Sequence, residues 1–186
     1  GIAESALEGR GATDGLPQHE PTMRSNFADT AHWVGSIETN AKGLADISFD
    51  MPENLTGWKI KAWGIGHGTK VGEGSAEVVT FKNLLLRLQA PRFFVQKDEV
   101  VLSANVHNYL DTDKMVRVGL ELDGGCLKTI DGNSTQTVLV EANGEKRVDW
   151  RVKVTNEGSA IVRMKALTDE ESDAMQMTFP CYIHGM

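Results

Sequence analysis

Short runs of alternating apolar and polar residues, separated by turn-forming residues, fill the C-terminal half of this chain. Six candidate strands follow one another at short intervals, at residues 99–107, 115–122, 136–140, 146–154, 159–166 and 174–183. Asp, Asn and Gly cluster between them, and these residues accept the backbone conformations that tight turns require. Alternation with a period of two predicts antiparallel strands with one buried face. Six or seven such strands form a β-sandwich of about 100 residues.

The candidate strand at residues 146–154 has the most regular alternation. One face carries only apolar side chains, namely Val148, Trp150, Val152 and Val154. The opposite face carries only charged side chains, namely Arg147, Asp149, Arg151 and Lys153. Because successive side chains of a strand point to opposite faces, we expect the charged set to face solvent. We expect Trp150 to be a core residue and not a platform for a ligand.

The N-terminal half carries a less regular β pattern. Its candidate strands are residues 30–34, 44–49, 58–65, 76–82 and 84–90. Alternation at residues 58–63 predicts a half-buried strand with Trp58, Ile60 and Ala62 on one face. Pro91 then interrupts the pattern, which restarts beyond it. We therefore predict an all-β chain with a leader at residues 1–23, a partial β domain at 24–90 and a complete antiparallel sandwich at 91–186.

A glycine-rich segment at residues 64–74 has the composition of a phosphate-binding loop. A dinucleotide fingerprint requires a helix directly after the glycines. Here residues 75–81 alternate and are rich in β-branched side chains, so they predict a strand. The glycine-rich segment is therefore predicted to be a flexible loop between two strands, and we expect no cofactor.

Composition limits the partners of this chain. Hydrophobic residues make up 40% and charged residues 24% of the sequence, which is typical of a globular protein with a core. The net charge of −7 argues against nucleic acid, because phosphate binding needs a basic surface. No apolar run has the length of a transmembrane helix, and residues 1–23 lack the pattern of a signal peptide. Those first residues also lack periodicity, which predicts a flexible leader.

No constellation of catalytic residues stands out. The five histidines are far apart, and no His-Glu-x-x-His, Cys-x-x-Cys or Gly-x-Ser-x-Gly motif occurs. Ser103 and His107 could join an acid in a catalytic triad, because triads are defined by geometry and not by sequence order. Both residues lie on one candidate strand, however, where side chains that only cover a face are more common. We therefore expect no catalytic residue and no enzyme activity.

The cysteines and the acidic turns each leave two alternatives open. Cys126 and Cys181 are either small buried residues of neighbouring strands, which we favour slightly, or one disulfide in an oxidising compartment. The acidic segments at 111–113 and 169–173 offer the oxygen ligands that calcium prefers. Neither segment fits an EF-hand loop, so solvated turns are favoured and no metal ligand is assigned.

Residues 24–63 resemble the signature of the alpha-2-macroglobulin family. The first motif of the family, Arg-x-x-Phe-x-Glu-Thr-Ala-x-Trp, is matched by Arg24, Phe27, Thr30, Ala31 and Trp33, with Asp29 in place of Glu. The second, Phe-x-x-Pro-Asp-Ser-Leu-Thr-Thr-Trp-Arg, is matched by Phe49, Pro52, Leu55, Thr56 and Trp58. Its departures are Glu53-Asn54 in place of Asp-Ser, Gly57 in place of Thr and Lys59 in place of Arg. Residues 90–108 resemble the start of the next macroglobulin-type domain. The resemblance covers residues 24–186.

The resemblance implies a fold and a role. The two β units would be fibronectin/immunoglobulin-like macroglobulin domains, the second complete and the first partial. Residues 1–23 would be the end of the bait region that proteases cut, with Arg10 as a possible cleavage site. The thioester motif of the family is absent, so neither cysteine inherits the thioester role. The segment would thus be scaffold of an endopeptidase inhibitor that traps proteases.

The resemblance also implies partners and a location. The partners would be proteases, together with the neighbouring macroglobulin and thioester domains of a longer chain. That chain would be secreted, periplasmic or anchored to the cell envelope. The partial first domain would expose a sheet edge, through which the isolated segment would self-associate. The alternative to this interpretation is a β-sandwich adhesion or carbohydrate-binding module that binds calcium at an acidic turn.

Overall fold

The computed structural model of the chain describes residues 21–183, which form strands and loops and contain no helix. Since there is no helix in this range, none there is long and apolar enough to cross a membrane. The strands are β1 (Met23–Arg24), β2 (Gly57–Gly66), β3 (Lys70–Val79), β4 (Leu84–Gln89), β5 (Phe94–Val95), β6 (Glu99–Asn108), β7 (Lys114–Asp123), β8 (Leu127–Thr129), β9 (Thr135–Val140), β10 (Glu145–Val154), β11 (Gly158–Leu167) and β12 (Ser172–Tyr182).

Two sheets pack against each other as a sandwich, as the sequence predicted. One sheet has the strand order β4-β6-β10-β8, and the other has the order β1-β12-β11-β7-β9 with β5 also paired to β12. Neighbouring strands are antiparallel except for β1 and β5, which run parallel to β12. Inward side chains of both sheets form one buried core, which includes Leu86, Val106, Trp150, Val118, Val162 and Met164.

The alternation of β10 has the predicted orientation. Val148, Trp150, Val152 and Val154 are buried, and the four charged side chains between them are exposed. Trp150 is only 4% exposed, which confirms it as a core residue. Burying an aromatic side chain of this size is among the largest single contributions to the stability of a small core.

All six predicted strands of the C-terminal half are present, as β6, β7, β9, β10, β11 and β12. The sequence did not predict β1, β5 and β8, which have two, two and three residues. Runs this short cannot display a periodicity. Leu84–Gln89 was placed before the boundary at residues 90–92, yet it pairs with β6 and lies in the sandwich core. The exact division of the chain into domains stays a prediction.

The N-terminal half differs from its prediction at several points. Residues 30–34 and 44–49 form no strand, and their large apolar side chains are exposed, for example Trp33 at 74%. The glycine-rich segment is not a long loop, because β2 and β3 extend into it and leave only the turn at residues 67–69. The two strands form an isolated antiparallel hairpin. Of the three residues predicted on the buried face of β2, Trp58 is partly buried, whereas Ile60 and Ala62 are exposed.

Candidate functional site at the end of the predicted leader

The chain joins the sandwich at β1, at the end of the predicted leader, whose last residue, Met23, is already part of the strand. Met23 and Arg24 pair in parallel with Ala174 and Met175 of β12. A two-residue strand offers few backbone hydrogen bonds, so the side chain of Arg24 must supply most of the attachment. Arg10, the predicted cleavage site, lies outside the described residues.

Arg24 is bound to Asp173 by a buried bidentate ion pair. The Nε atom donates to Oδ1 at 2.9 Å and the Nη2 atom donates to Oδ2 at 2.5 Å. The residue Arg24 is 7% exposed and Asp173 is fully buried. This paired geometry matches the fork of a guanidinium to the two carboxylate oxygens, which makes it stronger and more directional than a single contact.

The remaining hydrogen-bonding groups of the ion pair are satisfied by β4 and the segment before it. Arg24 Nη2 donates to the carbonyl of Leu86 at 2.9 Å, and the N–H of Leu86 donates to Asp173 Oδ2 at 2.8 Å. The ammonium of Lys82 lies 3.2 Å from Asp173 Oδ1. The guanidinium also lies 5.8 Å from the ring centroid of Phe27. We call Arg24, Lys82, Leu86 and Asp173 the anchor cluster.

A second set of hydrogen bonds holds the residues after Arg24. Glu53 Oε2 accepts the backbone N–H of Ser25 at 2.6 Å and of Asn26 at 2.7 Å. The N–H of Asn26, and then that of Ser25, lower the pKa of the Glu53 carboxyl by favouring its charged form. The carbonyl of Glu53 accepts Arg24 Nη1 at 3.4 Å. The chain is therefore held at Arg24 and again at the two residues that follow it.

The anchor cluster holds chain segments together through charge pairing and hydrogen bonds. It joins β1, β4 and β12, which are far apart in sequence. Removing one partner of such a buried pair strands the other charge in the interior, at a cost of about 3–5 kcal/mol. The geometry therefore supports a mechanical role, in which the end of the leader has one fixed point on the sandwich.

The structure does not assemble the triad considered for Ser103 and His107. Four residues along a strand span roughly 13 Å, too far for a hydrogen bond between the two side chains. Ser103 faces Asp149 on β10, and His107 Nδ1 lies 3.1 Å from Glu145 Oε2. Burial lowers the pKa of His107, with Glu145 opposing that shift.

The acidic turns bind protein groups. Asp113 Oδ1 accepts the N–H of Ala142 at 2.9 Å, and the ammonium of Lys114 pairs with Asp169 at 3.1 Å and Glu170 at 2.6 Å. Asp173 belongs to the anchor cluster. Across residues 21–183, no group of three or more His, Cys, Asp or Glu side chains is arranged to hold a metal ion.

Sequence reasoning missed the role of Asp173, which it assigned to an acidic turn. A usable signal was present: Asp173, Met175, Met177, Phe179 and Cys181 share one parity of β12. Asp173, Met175, Phe179 and Cys181 are buried. If the predicted apolar face of β12 is extended from Met175 by two residues toward the N-terminus, Asp173 is predicted to point into the core. A buried carboxylate at that position requires a cation beside it. The sequence around Asp173 does not identify that cation as Arg24, which is 149 residues away.

The fold defines the class of this protein as an all-β chain built around an antiparallel sandwich. A model of the alpha-2-macroglobulin family matches residues 30–120. An alpha-2-macroglobulin of Thermotoga maritima is 29% identical over 160 residues, which are 85% of this chain and 10% of that protein. The circularly permutated Ras protein 2 of Dictyostelium discoideum is 27% identical over 167 residues, 86% of this chain and 4% of that protein.

A solved structure of Escherichia coli alpha-2-macroglobulin activated by porcine elastase superposes with a TM-score of 0.67 at 14% identity. The match covers 97% of this chain and 16% of that chain. This likeness shows the fold, while the family model and the Thermotoga relative support the chain being a segment of the alpha-2-macroglobulin family. The chain spans about a tenth of the length of the Thermotoga relative.

Proposed function

We propose that this chain is a scaffold segment of a larger endopeptidase inhibitor, which traps a protease after that protease cuts the leader. The observation that carries the proposal is the anchor cluster. Arg24 follows the predicted leader directly and is bound, through Asp173, to the last strand of the sandwich. A cut upstream of Arg24 would free the leader while the sandwich keeps hold of its downstream end.

A related protein supports this role by analogy. The alpha-2-macroglobulin of Escherichia coli is activated by porcine elastase, so a protease activates that protein. We infer that proteases are likewise partners of the longer protein to which this segment belongs, and that its location is secreted, periplasmic or at the cell envelope. The segment itself would be non-enzymatic, because the residues considered for a triad are held apart on β6.

The exposed hairpin supports a second part of the proposal. Trp63 is 62% exposed, Ile65 87% and Val71 80%, an unusual exposure for neighbouring apolar side chains. In addition, hairpins of two strands are marginally stable alone. We propose that strands from a neighbouring macroglobulin domain of the longer chain cover β2 and β3. The isolated segment would then self-associate through this hairpin, and a size measurement that finds only monomers up to high concentration would contradict this part.

The test uses the longest natural chain that carries this sequence, mixed with trypsin. We expect first cleavage in residues 1–23 at Arg10, followed by retention of trypsin in a high-mass complex. The variant Arg10→Gln should slow that cleavage and delay retention of trypsin. The variant Arg92→Gln is the matched control, because Arg92 is an exposed arginine in the linker before β5; it should behave like the unmodified protein.

Two results would overturn the proposal. One is first cleavage elsewhere in the segment, with the leader intact. The other is cleavage at Arg10 that leaves trypsin free and fully active on large protein substrates. If trypsin is retained, pretreatment with methylamine tests the chemistry of retention, because loss of the covalent adduct would indicate a thioester elsewhere in the longer chain. A rise in melting temperature with calcium would instead favour the adhesion module.

A further inference from the structure

Two buried cysteines lie at the same end of the sandwich. Cys126 lies between β7 and β8 and is 1% exposed, and Cys181 lies near the end of β12 and is 4% exposed. Both are free thiols in this structure. The elements that carry them are far apart in sequence, so only the fold brings the two thiols together.

Gly158 fixes how close the thiols are. It is the direct antiparallel partner of Cys181, and side chains at directly opposed positions share a face with Cβ atoms about 4.5–5.5 Å apart. A Cβ atom built on Gly158 would lie 3.3 Å from Cys126 Sγ. Cys126 Sγ therefore borders the space that a side chain at position 158 would fill, next to Cys181.

The surroundings of the thiols do not favour a reactive thiolate. Cys126 Sγ lies 3.3 Å from the carbonyl of Gly124 and 3.5 Å from that of Glu157, both hydrogen-bond acceptors. Burial, and next the neighbouring Cys126, raise the pKa of Cys181 to about 11. A nucleophilic cysteine needs the opposite, a pKa lowered by a nearby cation or a helix N-terminus. The folded pair is therefore not built as a nucleophile.

We infer that Cys126 and Cys181 form a dithiol–disulfide site, which closes to a disulfide when the chain folds in the presence of a disulfide oxidant. In the first step a thiolate of the pair attacks a disulfide R–S–S–R and releases one R–S⁻, leaving a mixed disulfide. The second cysteine then attacks that mixed disulfide and releases the second R–S⁻. Two cysteine thiols are oxidised and one external disulfide is reduced to two thiols.

The bond would join the β7–β8 connection to the last strand of the sandwich. It would close a loop of about 55 residues that contains β8, β9, β10 and β11. Closing a loop of this length restricts the unfolded chain and thereby stabilises the folded one. This inference concerns the stability of the sandwich and does not depend on protease trapping.

The experiment unfolds the 186-residue chain in urea and refolds it in a mixture of reduced and oxidised glutathione. Refolding through the unfolded state gives both buried thiols access to the oxidant. The products are then blocked, digested without reduction and analysed by mass spectrometry. We expect a peptide pair linked through Cys126 and Cys181, and a melting temperature about 10 °C or more above that of the reduced chain.

The variants Cys126→Ala and Cys181→Ala serve as controls. Each should fold, because Ala fits the space of Cys, and neither should show the rise in melting temperature with oxidant. Gly158→Ala should lower the yield of the linked peptide, because its Cβ would lie 3.3 Å from Cys126 Sγ and its φ of +131° strains an alanine there. The inference is overturned if the folded chain keeps both thiols free, carries only mixed disulfides with glutathione, or links its cysteines only between two chains.

Discussion

Replacing Asp173 by Asn tests whether the anchor cluster holds the chain together. The substitution keeps the size of the side chain and removes its charge. Arg24 would then be a buried cation without its carboxylate, whereas Lys82, with a third of its side chain exposed, can turn to water. Stranding one charge of a buried pair costs about 3–5 kcal/mol. We expect the lower end, about 3 kcal/mol, because the Asn oxygen can still accept the N–H of Leu86.

The loss is measurable by urea unfolding followed through the fluorescence of Trp150, the buried tryptophan of the sandwich core. For a sandwich of about 100 residues, a loss of about 3 kcal/mol corresponds to a fall in melting temperature of roughly 12–24 °C. The matched control is Glu99→Gln, which breaks an exposed pair with Arg151 in the same sandwich. Exposed pairs contribute at most about 1 kcal/mol.

A double substitution separates the pairing from the packing. In Arg24→Met with Asp173→Leu both charges are removed, and replacing a buried ion pair by apolar residues is often neutral or stabilising. We expect the double variant to recover part of the stability that Asp173→Asn loses, because it removes the unpaired charge but leaves the buried N–H and carbonyl of Leu86 without their hydrogen bonds. The reasoning is refuted if Asp173→Asn costs no more than Glu99→Gln, since Arg24 would then find other partners or water at no cost.

Two further predictions concern single residues of the sandwich. Burial lowers the pKa of His107 despite Glu145, so the neutral imidazole is the form that the fold favours. The stability that His107 contributes is therefore present above about pH 6.5 and is lost as the pH falls below that value. In urea unfolding at each pH, His107→Gln should have a flatter stability profile than the unmodified chain between about pH 7 and 5.5. Gly124→Ala should destabilise the chain strongly, because its Cβ would lie 2.0 Å from the carbonyl oxygen of Ser159. The control is Gly125→Ala, which has a similar positive φ but free space around its Cβ. In thermal unfolding its melting temperature should fall much less.

The C-terminal sandwich was predictable because its own residues supply both faces of the core. Every apolar face in β6, β7, β10, β11 and β12 has a partner among the others, so alternation in the sequence and burial in the fold agree. Most positive φ angles in the turns of the sandwich fall on Gly or Asn, as at Gly124, Gly132 and Asn143, with Lys97 as an exception. Local chemistry and global packing therefore give the same answer there.

Residues 24–83 were predictable only in part, for the same physical reason: the strands predicted at 58–65 and 76–82 overlap β2 and β3, whereas those at 30–34 and 44–49 do not form. Alternation predicts a strand only if another element covers the apolar face. Trp33 and Ile47 stay exposed, and Phe49 is still 39% exposed although its ring stacks on that of His32. Their sequence pattern is that of a buried surface, and only the hairpin β2–β3 retains strand pairing, because its two strands adjoin in sequence across one tight turn.

The last strand, β12, connects the two candidate sites. Asp173 near its start binds the residue that follows the leader, and Cys181 near its end lies beside Cys126. Both side chains point into the sandwich, and eight residues of strand separate them by roughly 26 Å. β12 is paired with β11 along ten residues, so its two ends can change register only together. A slip of one residue would turn both Asp173 and Cys181 outward. The anchoring of the leader and the oxidation of the thiols therefore both act to fix one register of β12, and the charge at Asp173 makes the alternative register costly.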